Sequence, residues 1–269
     1  MGTIGFIGSG NMAEALIKGI LTAGVYAPRD VSISDIQKDR LEELARTYGV
    51  VGVDTNAHVA QRSETIVLSV KPQTMASALD SIKGMDVGGK LVISIAAGVK
   101  VAKIAAALGD VAIVRVMPNT PALIGQGVSA LYANDRARPQ LGQALAIFSA
   151  VGKAVVVEKE DLIDAVTAVS GSGPAYFFLL MEAMMQAGAA LGLPAHVARE
   201  LVLQTAKGAS LLAVEADKND ESPAMLRRKV TSPGGTTEAA LRVFAEAGFE
   251  PLVGRALTAA RDRSRELSG

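Results

Sequence analysis

The chain has 269 residues, and 27 Lys+Arg balance 27 Asp+Glu to a formal net charge of zero. It is 49% hydrophobic, with 4% aromatic residues, no cysteine, no tryptophan and two histidines, His58 and His196, far apart in sequence. These numbers exclude a disulfide scaffold, a thiolate metal site and a cysteine nucleophile, deny the histidines metal-ligand spacing, and leave no electrostatic footprint for nucleic acid or an anionic membrane.

In chain order, Thr3 to Ile7 reads as a buried strand and Val31 to Ser34 as a second, with Met12, Leu16, Ile17, Ile20 and Leu21 at helical spacing between them. Thr65 to Val70 and Leu91 to Ala96 are further apolar strands, followed by helical segments Thr74 to Ile82 and Val101 to Leu108. Ala112 to Met117, Val128 to Ala133 and Ala154 to Val157 complete the strands. Such alternation predicts an α/β fold, a mostly parallel sheet with helices on both faces. Beyond about Glu160 the strand signals stop. Asp161 to Val169, Pro174 to Leu191, Pro194 to Glu215, Pro223 to Val230, Thr236 to Ala247 and Pro251 to Glu266 carry helical periodicity, four of them with proline at or near the first turn. The chain therefore divides into an α/β part over 1–159 and an all-helical part over 160–269.

Two uncharged stretches test for a membrane span. Val116 to Asn134 is broken by prolines and glycines, and Ala165 to Met181 is split by Ser170-Gly171-Ser172-Gly173-Pro174 and closed by Glu182, which reads as too short to cross hydrocarbon. The N-terminus shows no basic leader segment, so the expected location is cytoplasmic. The helix around Tyr176 to Leu191 is apolar nearly all round, which calls for burial from several sides and favours a second subunit over the chain's own neighbours.

Ile7-Gly8-Ser9-Gly10-Asn11-Met12-Ala13 follows the first strand and opens the first helix. Gly8 suits the tight turn, Gly10 admits a pyrophosphate to the backbone, and Ala13 lets the helix pack on the sheet, so the loop reads as a dinucleotide site at a helix N-terminus. Asp35 ends the second strand at the position of a ribose-binding acid, yet Lys38 and Arg40 stand close by as for a 2′-phosphate. Capping of the next helix is the plainer role for Asp35, and the choice stays open. Val70-Lys71-Pro72, Ala96-Ala97-Gly98 and Met117-Pro118-Asn119-Thr120-Pro121 should line the same crevice, the last as either a plain turn or a wall of the nicotinamide site. Ser170 to Pro174 reads as a close-packed junction between helices. Thr231-Ser232-Pro233-Gly234-Gly235-Thr236-Thr237 opens a helix with a glycine pair, an electropositive concavity suited to a small carboxylate. Ser232 and Thr236 would suffice for an ordinary cap, but a cap alone does not explain two glycines.

Together, Gly8 to Ala13, Val70-Lys71-Pro72, Ala96-Ala97-Gly98, Met117 to Pro121, Ser170 to Tyr176 and Ser232 to Thr237 resemble the pyrroline-5-carboxylate reductase family, in that family's order over essentially the whole chain. The resemblance implies an N-terminal Rossmann domain and a C-terminal helical domain that dimerises, with dimers assembling into a decamer. It implies reduction of the cyclic imine 1-pyrroline-5-carboxylate to proline with NADPH, or with NADH. It places Ile7, Gly8, Ser9, Gly10, Asn11 and Met12 on the pyrophosphate, and Ser69, Val70, Lys71, Pro72, Ala96, Ala97 and Gly98 beside the nicotinamide half. Asn56 falls at the adenosine ribose or its phosphate, and Gly234, Gly235, Thr236 and Thr237 at the substrate carboxylate, with the Thr237 hydroxyl near the imine nitrogen. Asp35 departs from the small polar residue usual in NADP-preferring members.

Such a reaction needs no histidine, metal or cysteine, because a cyclic imine is readily protonated and the protein need only align the reactants. A hydroxyacid dehydrogenase of the same build would need a base, usually a lysine in the helix that begins its second domain, and Pro174 to Leu191 contains none. A non-enzymatic cofactor sensor would not need the Gly234 to Thr237 loop.

Overall fold

The computed structural model describes residues 2–267. Strand β1 (Ile4–Ile7) leads through the glycine loop to helix α1 (Asn11–Thr22), and β2 (Val31–Ser34), α2 (Lys38–Tyr48), the two-residue β3 (Val51–Gly52) and α3 (Asn56–Arg62) follow. Next come β4 (Thr65–Leu68), α4 (Met75–Asp80), β5 (Leu91–Ser94), α5 (Val101–Leu108), β6 (Ala112–Met117), β7 (Gly127–Ala133), α6 (Leu141–Ser149) and β8 (Gly152–Val156). They form one eight-stranded sheet in the order β3-β2-β1-β4-β5-β6-β7-β8. Strands β1 to β6 are parallel, β7 runs antiparallel to β6, and β8 is parallel to β7.

The strands are short and apolar because both faces are covered. Ile4, Phe6, Val31, Ile33 and Val67 pack with Leu16, Ile17 and Ile20 of α1 and with Ile147 and Phe148 of α6. On the other face Ile7, Ile66, Leu68 and Val92 meet Val59 of α3, Leu79 of α4 and Ile104 of α5. The order reverses between β1 and β4, which opens a crevice beyond the carboxyl ends of those strands, where doubly wound sheets bind ligands. The strand β3 and the helices α3 and α6 were not expected from sequence, and a 3₁₀ turn at Pro72–Thr74 precedes α4.

All later elements are helical: α7 (Leu162–Val166), α8 (Gly173–Ala190), α9 (Ala195–Asp217), α10 (Pro223–Lys229), α11 (Thr236–Glu246) and α12 (Phe249–Leu267). One expectation is corrected here. The segment Ser170 to Pro174 does not separate two helices, because Thr167–Gly171 forms a π turn that carries α7 into α8. Pro174 sits in the first turn of α8, where its missing N–H interrupts nothing. The resulting run Leu162–Ala190 is long and apolar enough to cross a membrane by length and composition, contrary to the reading of a run too short.

By internal contacts the chain forms two compact units, Met1–Pro174 with Thr258–Gly269, and Ala175–Leu257. The first holds the sheet and takes back the last turns of α12. In the second, α8 leaves Phe177, Phe178 and Leu179 about 60% exposed in the single chain.

Candidate functional site

The glycine loop is built as its sequence requires. Gly8 has φ +92°, and a Cβ there would meet Val70 Cγ1 at 2.8 Å and the Ser69 backbone at 3.1 Å. Only glycine fits such a turn against a neighbouring strand end. Above Gly10 the space is open, with nothing within 4 Å of an added Cβ. Gly10 is also the N-cap of α1, and no side chain caps that helix, so its first-turn N–H groups face an open approach. Such a surface fits a pyrophosphate. The side chains of Ser9 and Ser69 are committed within the protein: Ser69 Oγ donates to the carbonyls of Gly8 (2.6 Å) and Ile7 (3.1 Å), bracing the loop from β4.

Asp35 proves to be neither free nor a helix cap. Its Oδ2 accepts from Ser9 N (2.7 Å) and Ser9 Oγ (2.9 Å), and its Oδ1 accepts from Gln37 N (3.0 Å). Helix α2 is instead capped at Gln37, without a side-chain bond. Partial burial pushes the Asp35 carboxyl up, but hydrogen bonds from the Gln37, Ser9 and Ile36 amides and the Ser9 hydroxyl prevail and hold it below its ordinary value. Arg40 donates from Nε to the Ser9 carbonyl (3.1 Å) and from Nη1 to Glu43 (2.7 Å), while Nη2 pairs with Glu14. Asn56 accepts from Ser34 Oγ (2.7 Å) and donates to Ser81 Oγ (2.8 Å). A cavity of about 480 Å³ lies here, lined by Asp35, Lys38, Asp54, Thr55 and Asn56 among others.

The remaining loops sit at neighbouring strand ends. Lys71 is extended and exposed before Pro72, as expected of a residue preceding proline. Ala96 and Gly98 are buried, and the Gly98 backbone lies against Leu267 of α12, 3.0 Å from an added Cβ. Asn119 accepts from the Val128 amide (2.9 Å), so its side chain pins the loop after β6 onto β7.

In the helical unit, Gly234 has φ +71° and Gly235 is the N-cap of α11. Neither Ser232 nor Thr236 caps that helix through its side chain, so the ordinary-cap alternative does not describe this loop. Two of the four expected donors are used internally: Gly235 N donates to the Ser232 carbonyl (3.0 Å), and Gly234 N donates to Glu238 Oε2 (2.7 Å). The carboxylate at this loop is thus one of the chain's own. Glu238 was missed in sequence, although its place three residues past the N-cap is that of a capping-box acid.

A buried cluster was missed as well. Arg115 on β6 is 1% exposed, with Nη1 on Glu160 (3.1 Å) and Nη2 3.6 Å from Asp164. Glu160 also accepts from the Val101 amide (2.8 Å), and Asp164 from Ser264 Oγ of α12 (2.8 Å). An arginine inside the strand Ala-Ile-Val-Arg-Val-Met was the available signal, since a charge there demands partners.

A family model described as pyrroline-5-carboxylate reductase dimerisation matches residues 160–267, and one described as NADP oxidoreductase, coenzyme F420-dependent, matches residues 3–98. A pyrroline-5-carboxylate reductase of Pseudomonas aeruginosa is 48% identical over 98% of this chain and 96% of its own length. The solved reductase of Coxiella burnetii is 39% identical, with a TM-score of 0.93 over 100% of this chain and 99% of that one. That of Plasmodium falciparum, solved with NADP bound, is 31% identical, with a TM-score of 0.87 over 99% and 98%. With full-length identity of this order and the same two-part build, this chain belongs to the pyrroline-5-carboxylate reductase family.

Proposed function

We propose that the chain reduces 1-pyrroline-5-carboxylate to L-proline, the last step of proline biosynthesis, with NADPH as reductant and NADH also accepted. The observation that carries this reading is the Gly234–Thr237 entry to α11, a helix N-terminus opened by a glycine pair that already holds one carboxylate, that of Glu238, in a chain similar over its whole length to these reductases. NADPH, when bound, supplies the hydride for the C=N carbon.

The chain's own residues do the rest. The loop Ile7 to Met12 holds the pyrophosphate on backbone N–H groups, Asp35 lies at the adenosine ribose, and Asn56 meets that ribose or its phosphate. Ser69, Val70, Lys71, Pro72, Ala96, Ala97 and Gly98 border the nicotinamide half. Gly234, Gly235, Thr236 and Thr237 bind the substrate carboxylate, and the Thr237 hydroxyl orients the ring nitrogen or hands it a proton. The dinucleotide-binding domain is taken as 1–159, and the substrate-binding and dimerisation domain as 160–269.

The apolar face of α8 supports a homodimer over a membrane span, because the dimerisation match covers the same residues. Dimers assembling into a decamer, no nucleic-acid or lipid partner, and a cytoplasmic location complete the proposal. The test follows loss of reduced-nicotinamide absorbance with 1-pyrroline-5-carboxylate and either cofactor, and no turnover with both would sink it. Thr237→Ala is expected to lower kcat/KM for the imine by ~10²-fold, and Thr237→Ser to restore most of it.

A further inference from the structure

The loop Ala96 to Lys100 leads from β5 into α5 and closes on itself by a long bond, Val99 N to the Ala96 carbonyl (3.4 Å). Lys100 is the N-cap of α5 and makes no side-chain cap bond. The cap comes instead from 59 positions away: Glu160 Oε1 accepts from the Val101 amide, the first N–H of the helix, at 2.8 Å. A carboxylate placed there also meets the positive end of the helix dipole. The same oxygen accepts from Arg115 Nη1 (3.1 Å), and Arg115 stands opposite Ser94, the last residue of β5, in the register of the sheet. At the loop's other bend, Gly98 has φ +70° and lies against the Leu267 backbone.

Stability alone does not account for this arrangement. Arg115 is 1% exposed, yet its Nη2 is 3.6 Å from Asp164, beyond hydrogen-bond reach, and neither Nε nor Nη2 has a hydrogen-bond partner among the described residues. A buried ion pair so incompletely satisfied adds little over apolar side chains of the same volume, but it fixes a geometry. We infer that Glu160, held by Arg115, is a positioning residue for hydride transfer: through the first N–H of α5 it sets the Ala96-Ala97-Gly98 loop against the nicotinamide ring. The inference rests on the proposed reductase reading, in which that loop borders the nicotinamide half. Glu160 acts through the loop and not on the reacting atoms.

Steady-state kinetics and calorimetric titration of the whole protein test it together. A misplacement of about 1 Å is enough to slow a positioned reaction about a hundredfold, so Glu160→Ala should lower kcat about ten- to a hundredfold while changing the KM for the imine less than about twofold. The same variant should bind NADPH more weakly, yet bind 2′-phospho-ADP-ribose, which lacks the nicotinamide, as the wild type does. A merely structural role moves both ligands or neither. Glu160→Gln keeps an oxygen for the Val101 amide and should restore most of kcat. Glu160→Asp keeps the charge but shortens the reach and should not, and it replaces Glu160→Ala in both measurements if that variant fails to fold. An unchanged kcat, or equal weakening of NADPH and of the fragment, overturns the inference alone. Wild-type protein that binds both ligands but does not turn over the imine overturns the proposed reaction, and the binding comparison still decides the role of Glu160. Binding of neither ligand by folded wild type overturns the glycine-loop reading and this inference with it.

Discussion

Glu238 shows how one carboxylate can work for and against a site. Its bond to the Gly234 amide steadies the entry to α11, yet it takes a donor the substrate carboxylate could use and adds a like charge beside it. The competition should outweigh the bracing, because the turn keeps its own backbone bonds, Gly235 N to the Ser232 carbonyl and Ala239 N to the Gly235 carbonyl. One hydrogen bond is worth about 0.5–1.5 kcal/mol net, so Glu238→Ala should lower the KM for the imine roughly two- to tenfold with kcat little changed. Steady-state kinetics decides it, and a raised KM would make Glu238 a brace instead. At this scale sequence reading found the glycines and Asp35 as residues, because Gly8, Gly10 and Asp35 follow the ends of apolar strands and the Gly234-Gly235 pair opens a helix. It did not find whom they bond. Ser9 and Asp35 are 26 positions apart and Ser69 and Gly8 are 61 apart, and nothing local marks such pairs.

Among elements, the joint between β1 and α1 concentrates the most constraint. Gly8→Ala there combines a left-handed φ with a Cβ pressed onto Val70 and the Ser69 backbone. It should cost ~1–3 kcal/mol of stability and weaken cofactor binding. Thermal denaturation and NADPH titration measure the two effects, and an unaltered thermal midpoint would count against the argument. The parallel strands were legible because burial on both faces leaves apolar runs such as Ile66-Val67-Leu68 and Val92-Ile93. Helix α3 was not, since only Val59 and Ala60 of its seven residues are buried, although Thr55 accepting from the His58 amide is an N-cap readable in retrospect. Helix α6 carried the signal in Ala144, Ile147 and Phe148, spaced for one face. The π turn at Thr167–Gly171 defeated the reading of Ser170 to Pro174, because glycine and proline mark breaks only where the helix has no other way to continue.

For the whole molecule, two dependencies stand out. Arg115 joins β6 to Glu160 and Asp164, so Arg115→Leu leaves two carboxylates without their counter-charge and should cost ~3–5 kcal/mol, read as a lowered denaturation midpoint. An unchanged midpoint would show the cluster to be incidental. Association is the second. Phe178 and Leu179 on α8 are exposed in the single chain, and Phe178→Glu with Leu179→Glu should reduce the sedimenting mass to that of one chain without unfolding the sheet. That the helical part belongs against another copy could be read in sequence from its all-round apolarity, whereas the return of α12 to the sheet-bearing unit could not. That return has a consequence for the order in which the protein is made. Chains grow from the N-terminus and domains generally fold as they emerge. Here the loop at Gly98 leaves the ribosome early, but Leu267, which covers it, and Ser264, which bonds Asp164, arrive about a hundred or more residues later. The Gly98 edge of the sheet and the Asp164 carboxylate therefore stay uncovered until Ser264 and Leu267 have been made, long after the strands themselves.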